Sequence, residues 1–491
     1  MILSSVSELL VRVGRKAVLE ESFDTLRRTG GEVRVAGLTD SAKALVAPLA
    51  FAELGRPTIV LVDSNQHAEA IAEPLRWFYR AITGKPGHRV LVLPAHDVLP
   101  YESRSPHAEI SEDRAVALWR FASGEADVLI APVQTALSRM RDRDFYRQLA
   151  RTIERDQEIP LEELLNFLAS AGYDRQITCE MPGQYAVRGG IIDIFSPEAP
   201  QPVRVDLLGD TIESIRAFDP NTQRSTNPVQ RATLMPLTEF PQRAEVLERM
   251  RVASESARED DSPPVGFYPG WEFREILSEE RKSSLFDLAT DPLVIEDEPA
   301  LLELAVEKYR AELAEAFEEV EDARAEPPLR YIFDEEEWSL ARQMVPRLGL
   351  EHLGISQSGA ASGAQERALR TQPTTRYHGN VAAFMAEVRG RVTAGEHVMI
   401  SAASTGELER FADISHEYEV PYRLGELEEN VTVARLAEEE SGSNAPSVLL
   451  VKAPLGEGVV FSDANLVIYG NADLFETLPP PQRPRSRPKT A

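Results

Sequence analysis

Two stretches of this sequence carry residue types that could handle a nucleotide. The first is VAGLTDSAKALVAP, residues 35–48, at the end of a short apolar run. A phosphate loop reads G-x-x-x-x-G-K-[ST], because backbone N–H groups wrap the phosphates, a lysine reaches them and a hydroxyl holds magnesium. The register here gives Gly37, Ala42, Lys43 and Ala44. Ala42 puts a Cβ where the second glycine would let the chain turn tightly. Ala44 lacks the hydroxyl, and Asp40 sets an acid where a polyphosphate would meet like charge. The second stretch is PLVIEDEPAL, an apolar strand running into Asp297 and Glu298, the kind of acidic pair that holds magnesium in a working site. With the loop hydroxyl gone, the pair reads as inherited scaffold. The expectation is a strand, loop and helix without ATP or magnesium; an ATP-dependent helicase or nucleotide hydrolase half is the competing reading. A further acidic run, YIFDEEEW at 331–338, reads as a solvated turn or helix start.

The elements around these residues alternate. EVRVA, PTIVLV, HRVLVLP and ADVLIAP are short apolar runs suited to a buried parallel sheet, and the intervening segments SAKALVAPLAFAEL and QHAEAIAEPLRWFYRAI are helical in pattern. This predicts βαβ architecture with the loop after the first strand. The proline-rich segment from 93 predicts a helix starting near Ser111, with Arg114 in its first turn. Near residue 150 the texture shifts to a helix, LEELLNFLASAGYDRQ, ended by Gly172, and then to alternating runs QYAVRGGIIDIF, PVRVDLLG and TIESIRAFD. Helical character returns after 239, around a polar, mobile-looking stretch at 256–264. LAVEKYRAELAEAFEEVED is an amphipathic helix with a solvated acidic face. Beyond the Ser-, Gly- and Ala-rich segment near 350, EHVMISA, SVLLVKA and ANLVIYGNADLF predict another α/β unit. The Pro- and Arg-rich tail reads as a linker.

Composition narrows the possibilities. A chain of 491 residues with 43% hydrophobic residues is long enough for several cores. Its net charge of −27 argues against a broad electropositive surface for DNA phosphates. One cysteine, Cys179, excludes an internal disulfide and leaves too few sulfur ligands for a structural zinc site, which fits a reducing, cytoplasmic setting. The nearest histidines, His96 and His107, lack helical i,i+4 spacing, so no metal site is expected. No apolar run approaches the roughly 18 residues of a membrane span, and no membrane association is expected.

The run GQYAVRGGIIDIFSPEAPQPVRVDLLGDTIESIRAFDPNTQRST, residues 183–226, resembles the small module shared by bacterial transcription-repair coupling factors and the excision-repair protein UvrB. LPAHDVLPYESRSPHAEISEDRA at 93–115 and GNADLF near the end also resemble the coupling-factor pattern. The damage-verifying relative needs an intact phosphate loop, whereas coupling factors keep the fold without the catalytic residues; Gly37, Ala42, Lys43 and Ala44 fit the second. The resemblance implies an α/β multidomain chain: a degenerate P-loop NTPase-like (RecA-like) parallel-sheet domain at 1–149 and 239–349, an inserted small α+β UvrA-binding module at 150–238, a further small α/β domain at 350–477 and a linker at 478–491. It implies recruitment of UvrA, the damage-recognition ATPase of nucleotide excision repair. RNA polymerase, DNA, ATP and magnesium would be engaged only through domains absent from this sequence. Arg175 and Arg188 match basic positions of the family's partner-binding surface, where a planar guanidinium can anchor a partner carboxylate. Each arginine taken alone is more often a surface charge or part of an internal ion pair. Gly189 and Gly190, read as strand glycines, would let a partner approach the backbone. Tyr185, Ile192 and Phe195 either line that contact or pack the module, and alternation puts Ile192 on the face of Arg188 if no bulge intervenes.

Overall fold

A computed structural model describes residues 2–243, 245–248, 267–275, 281–320, 325–352, 365–425 and 448–475. The stretch at 256–264 and the tail at 478–491 lie outside these residues. A seven-stranded sheet forms the first unit, in the order Gln365–Ala368, Glu32–Ala36, Arg347–Leu350, Leu293–Asp297, Thr58–Val62, Val128–Pro132, Val90–Val92. Every neighbouring pair is parallel. Thr58–Val62 and Val128–Pro132 are buried along their whole length, which is why they read as unbroken apolar runs rather than as alternation. The helices Asp40–Leu54 and Asn65–Thr83 cover one face. Pro299–Glu319 and Ala108–Ser123 help cover the other.

The helix expected near Ser111 begins three residues earlier, at Ala108. Its N-cap is His107, whose ring nitrogen accepts the Glu109 N–H at 3.4 Å. Histidine is not among the usual capping residues, so the sequence pointed to the nearer serine.

A second sheet of six strands is built from residues 174–229, in the order Ser225–Val229, Thr211–Phe218, Val203–Leu208, Ile191–Ile194, Gln184–Arg188, Asp174–Arg175. It lies in the chain between two strands of the large sheet, Val128–Pro132 and Leu293–Asp297. One face packs on the helix Leu161–Ser170 through a core that includes Ile153, Leu164, Leu168, Ile192, Val205 and Ile215. Where the chain enters and leaves this module, Arg151–Glu154 and Arg231–Leu234 pair antiparallel, with Arg151 opposite Leu234 and Glu154 opposite Arg231. Ile153 and Leu234 of this neck are fully buried.

The third sheet runs Thr371–Pro373, Val459–Phe461, Leu466–Tyr469, His397–Ala402, Val448–Lys452, Tyr422–Gly425. The expected boundary at 350 therefore moves, because Gln365–Ala368 pairs with Glu32–Ala36 and belongs to the first sheet. The third sheet starts only at Thr371. Met399, Leu449, Val451 and Ile468 share one continuous core with Val33, Leu45 and Phe78, so the first and third units are packed together rather than strung apart. The Trp77 indole N–H donates across this contact to the Lys452 carbonyl at 2.9 Å.

Candidate functional site

The loop after Glu32–Ala36 is only three residues long, because Thr39 caps a helix that already starts at Asp40. Asp40 and Ala42 are thus helical, as are Lys43 and Ala44. Ala42 and Ala44 are buried and Asp40 points outward. Four amides along this stretch have partners within the protein. Leu38 N–H donates to the Glu351 carbonyl, Thr39 N–H to Thr371 Oγ1, Ala42 N–H to Thr39 Oγ1 and Lys43 N–H to the Thr39 carbonyl.

Lys43 is 5% exposed and turns inward to the second stretch. Its Nζ lies 2.7 Å from Asp297 Oδ1 and 2.5 Å from Glu298 Oε1, with Asp40 Oδ1 at 3.8 Å. His67 completes the cluster: Nε2 is 3.3 Å from Asp297 Oδ2 and Nδ1 is 2.8 Å from Asp63 Oδ1. Sequence reading passed over His67, since nothing in QHAEAIAEP marks which strand end its helix faces. Burial works against the charge on Lys43, yet Asp297 and Glu298 more than offset it and raise its pKa. Burial likewise works against a charged Asp297, but His67 and Lys43 hold its carboxyl below the usual range. His67 is raised to about 9, chiefly by its hydrogen bond to Asp297, against burial and with help from Asp63. Asp297 therefore sits between two cations of the chain itself, Lys43 and His67, and Glu298 beside the first of them.

A pH dependence follows. The folded pKa of His67 lies above its ordinary value, so its contribution to stability is whole below about pH 6.5 and fades as pH rises towards 9. Allowing for its partial exposure, the loss is about 1–2 kcal/mol. Urea unfolding at pH 6 and pH 9 should show this decline in the wild type and a flatter profile in His67→Gln. Equal slopes in the two proteins would remove His67 as its source.

In the inserted module the hairpin register decides where each expected residue lies. Tyr185 pairs with Ile194, Val187 with Ile192 and Arg188 with Ile191. Directly opposed residues share a face, so Ile192 sits with Val187 on the core side and Arg188 with Ile191 on the other. Ile192 is fully buried, Tyr185 is 6% exposed and Phe195 8%, and all three pack the module. Phe195 joins Cys179, Ala186 and Phe218 in a small separate cluster. Gly189 and Gly190 are not strand residues. They form the two-residue turn of the hairpin, Gly189 at φ +63, and a Cβ on Gly190 would come within 2.7 Å of the Leu207 carbonyl oxygen. This turn is what breaks the alternation that would have placed Ile192 with Arg188.

Arg175 and Arg188 are exposed, on the edge strand and the strand beside it. Arg188 Nη2 donates to the Ile177 carbonyl at 3.3 Å. Two apolar side chains beside it are open to solvent, Ile177 at 88% and its cross-strand neighbour Ile191 at 38%, while Met181, at the other end of the strand, is 53% exposed. Leu208, two residues past the Asp206 that pairs with Ile191, is 71% exposed. The open face beyond is charged but internally matched, with Arg204 forked onto Asp193 at 2.6 and 2.9 Å and Arg216 on Asp206. Sequence reading found the arginines but missed Ile177 and Met181, whose exposure depends on what the fold leaves uncovered.

The arrangement defines a class: a parallel-sheet α/β protein carrying an inserted module, which at residues 152–240 matches the family described as UvrB interaction domain. Among characterised proteins, the chain is similar to transcription-repair-coupling factors. It is 30% identical to that of Myxococcus xanthus over 333 residues, 63% of this chain and 28% of the relative. It is 32% identical to that of Escherichia coli over 229 residues, 46% of this chain and 19% of the relative, and 24% identical to that of Staphylococcus aureus over 248 residues. The resemblance to transcription-repair coupling factors is thereby shown, and the chain spans less than a third of the length of these relatives. Among the described residues no helix is long and apolar enough to cross a membrane.

Proposed function

We propose that this chain serves transcription-coupled nucleotide excision repair as a non-catalytic recruitment portion, and that its inserted module binds UvrA. The observation that carries this reading is the exposed Arg188, on the strand next to the sheet edge and beside Ile177 and Ile191, inside the segment that matches the UvrB interaction domain. A guanidinium flanked by exposed apolar side chains has the composition of an interface anchor, since such neighbours exclude water from its ion pair once a partner covers it. Arg175 lies on the neighbouring edge strand, paired with Tyr185. The loop at Lys43 has no part in this activity. Its lysine charge is spent on Asp297 and Glu298, and the Leu38, Thr39, Ala42 and Lys43 amides are bonded within the chain.

Arg188→Glu is expected to weaken UvrA binding by about 2–4 kcal/mol, because it removes the anchor and sets a like charge against the partner's acid. The test is a titration of UvrA against the wild type and this variant, with circular dichroism checking the fold of each. Saturable binding unaltered by the substitution would move the interface elsewhere, and no binding by either protein would sink the reading. The competing reading, a nucleotide hydrolase centred on Lys43, requires Mg-ATP binding at micromolar affinity in calorimetry that Lys43→Ala abolishes.

A further inference from the structure

The loop that follows the first strand is bonded to the third unit at several points. Gly37 and Thr39 of the loop and Ser41, in the first turn of the helix after it, each contribute a contact. Thr371 Oγ1 accepts the Thr39 N–H at 2.9 Å and donates to the Gly37 carbonyl at 2.7 Å, while the Thr371 N–H reaches the same carbonyl at 3.1 Å. Ser41 Oγ donates to the Glu457 carbonyl at 2.6 Å. Gly37 itself, at φ +80, has the Leu369 carbonyl oxygen 2.5 Å from where a Cβ would sit. The glycine that resembles the opening of a phosphate loop is therefore demanded by the close passage of residue 369, with no phosphate required.

We infer that this loop is the docking latch of the third unit, with Thr371 as its positioning residue. The chain crosses from the first sheet to the third between Ala368 and Thr371, and the Leu369 N–H is held by the Ala36 carbonyl at 2.9 Å. Thr371 is the first residue of the third sheet, so its hydroxyl fixes where that sheet begins relative to the end of Glu32–Ala36. The contact lies at the carboxyl end of a parallel strand, where open α/β sheets usually receive a ligand. Here part of the chain's own third unit takes that position. The inference concerns contacts within the chain and stands whether or not the inserted module binds UvrA.

Amide hydrogen exchange on the full chain tests it. Thr371→Val keeps the shape of the side chain and removes both hydroxyl hydrogen bonds. It is expected to speed exchange at the Thr39 amide about tenfold, because that N–H loses its acceptor. Thr371→Ser keeps the hydroxyl and should restore the wild-type rate. Unchanged exchange in Thr371→Val, or equal acceleration in both variants, would overturn the latch, the second because it would assign the effect to the methyl group. Protection of the Leu38 and Thr39 amides of the wild type by Mg-ATP would also overturn it, since the loop would then be meeting phosphate. If Thr371→Val fails to fold, Ser41→Ala takes its place, with faster exchange expected across 456–458 and unaltered exchange there counting against the latch.

Discussion

Replacing Glu239 by alanine is expected to destabilise the protein by about 3–5 kcal/mol. Glu239 stands just past the inserted module and is 5% exposed; its partner Arg114, on the helix Ala108–Ser123, is 3% exposed. The guanidinium Nε meets Glu239 Oε1, its Nη2 lies 3.3 Å from Oε2, and its Nη1 donates to the Pro94 carbonyl at 2.5 Å. Burial works against a charged Glu239, and Arg114 holds the carboxyl below its usual range all the same. His96 cannot stand in as the cation for this acid. Burial, reinforced by Arg114, pushes its pKa down to about 3, so it remains neutral, wedged between Phe240 and Phe273. The alanine variant therefore strands a guanidinium in the interior with a lone carbonyl partner. Urea unfolding measures the loss. A double replacement, Arg114→Met with Glu239→Leu, should recover most of it, because the penalty arises from the unpaired charge rather than from the missing bond. A single variant within about 0.5 kcal/mol of wild type would show that water reaches the pair and that its burial does not matter.

Lys43→Met should lower stability by a similar amount, about 3–5 kcal/mol near neutral pH, because Asp297 is 4% exposed and would keep only His67 as a cation. The pH profile separates this from a simple packing defect. In the wild type Asp297 has a lowered pKa, so its contribution is present above the ordinary carboxylate range and is lost as pH falls through the folded value. Without Lys43 the carboxyl keeps His67 but loses one of the two cations that hold its pKa down, so the variant takes up a proton on Asp297 at a higher pH than the wild type and sheds its buried charge first. The gap between variant and wild type should close as pH is lowered from 7 to about 4.5 in parallel urea titrations. A gap constant with pH would mean that lost methylene packing along the lysine stem, and not the charge, is responsible.

The residues show how much of this was legible beforehand. Five strands of the large sheet, and the acidic pair at the end of one of them, could be read because each rests on local pattern: an apolar run, a strand end. That Lys43 would bury itself against Asp297, 254 positions away, was not local, and neither was the role of His67. Gly37 was read as a vestige of phosphate binding, whereas its geometry answers to residue 369, some 330 positions distant in the chain. In the module, the alternation of QYAVRGGIIDIF was correctly assigned to strand, but alternation cannot tell a glycine pair inside a strand from one that turns it. That single ambiguity decided whether Ile192 stood beside Arg188 or behind it. Exposed apolar residues such as Ile177 look like core residues in a sequence; only the finished sheet reveals that nothing lies over them.

The paired neck of the inserted module has a mechanical consequence. Arg151–Glu154 and Arg231–Leu234 carry the chain out and back side by side, joined by a ladder and sealed by Ile153 and Leu234. A domain hung on one linker can swivel about single bonds, and a pull on it is borne by one backbone. A domain hung on two zipped strands resists twisting, and a pull along the neck is shared between both. Whatever grips the Arg188 face is thereby held on a stiff arm at a set bearing to the large sheet, so a tug on one end of the complex becomes a displacement of the other instead of slack in a tether.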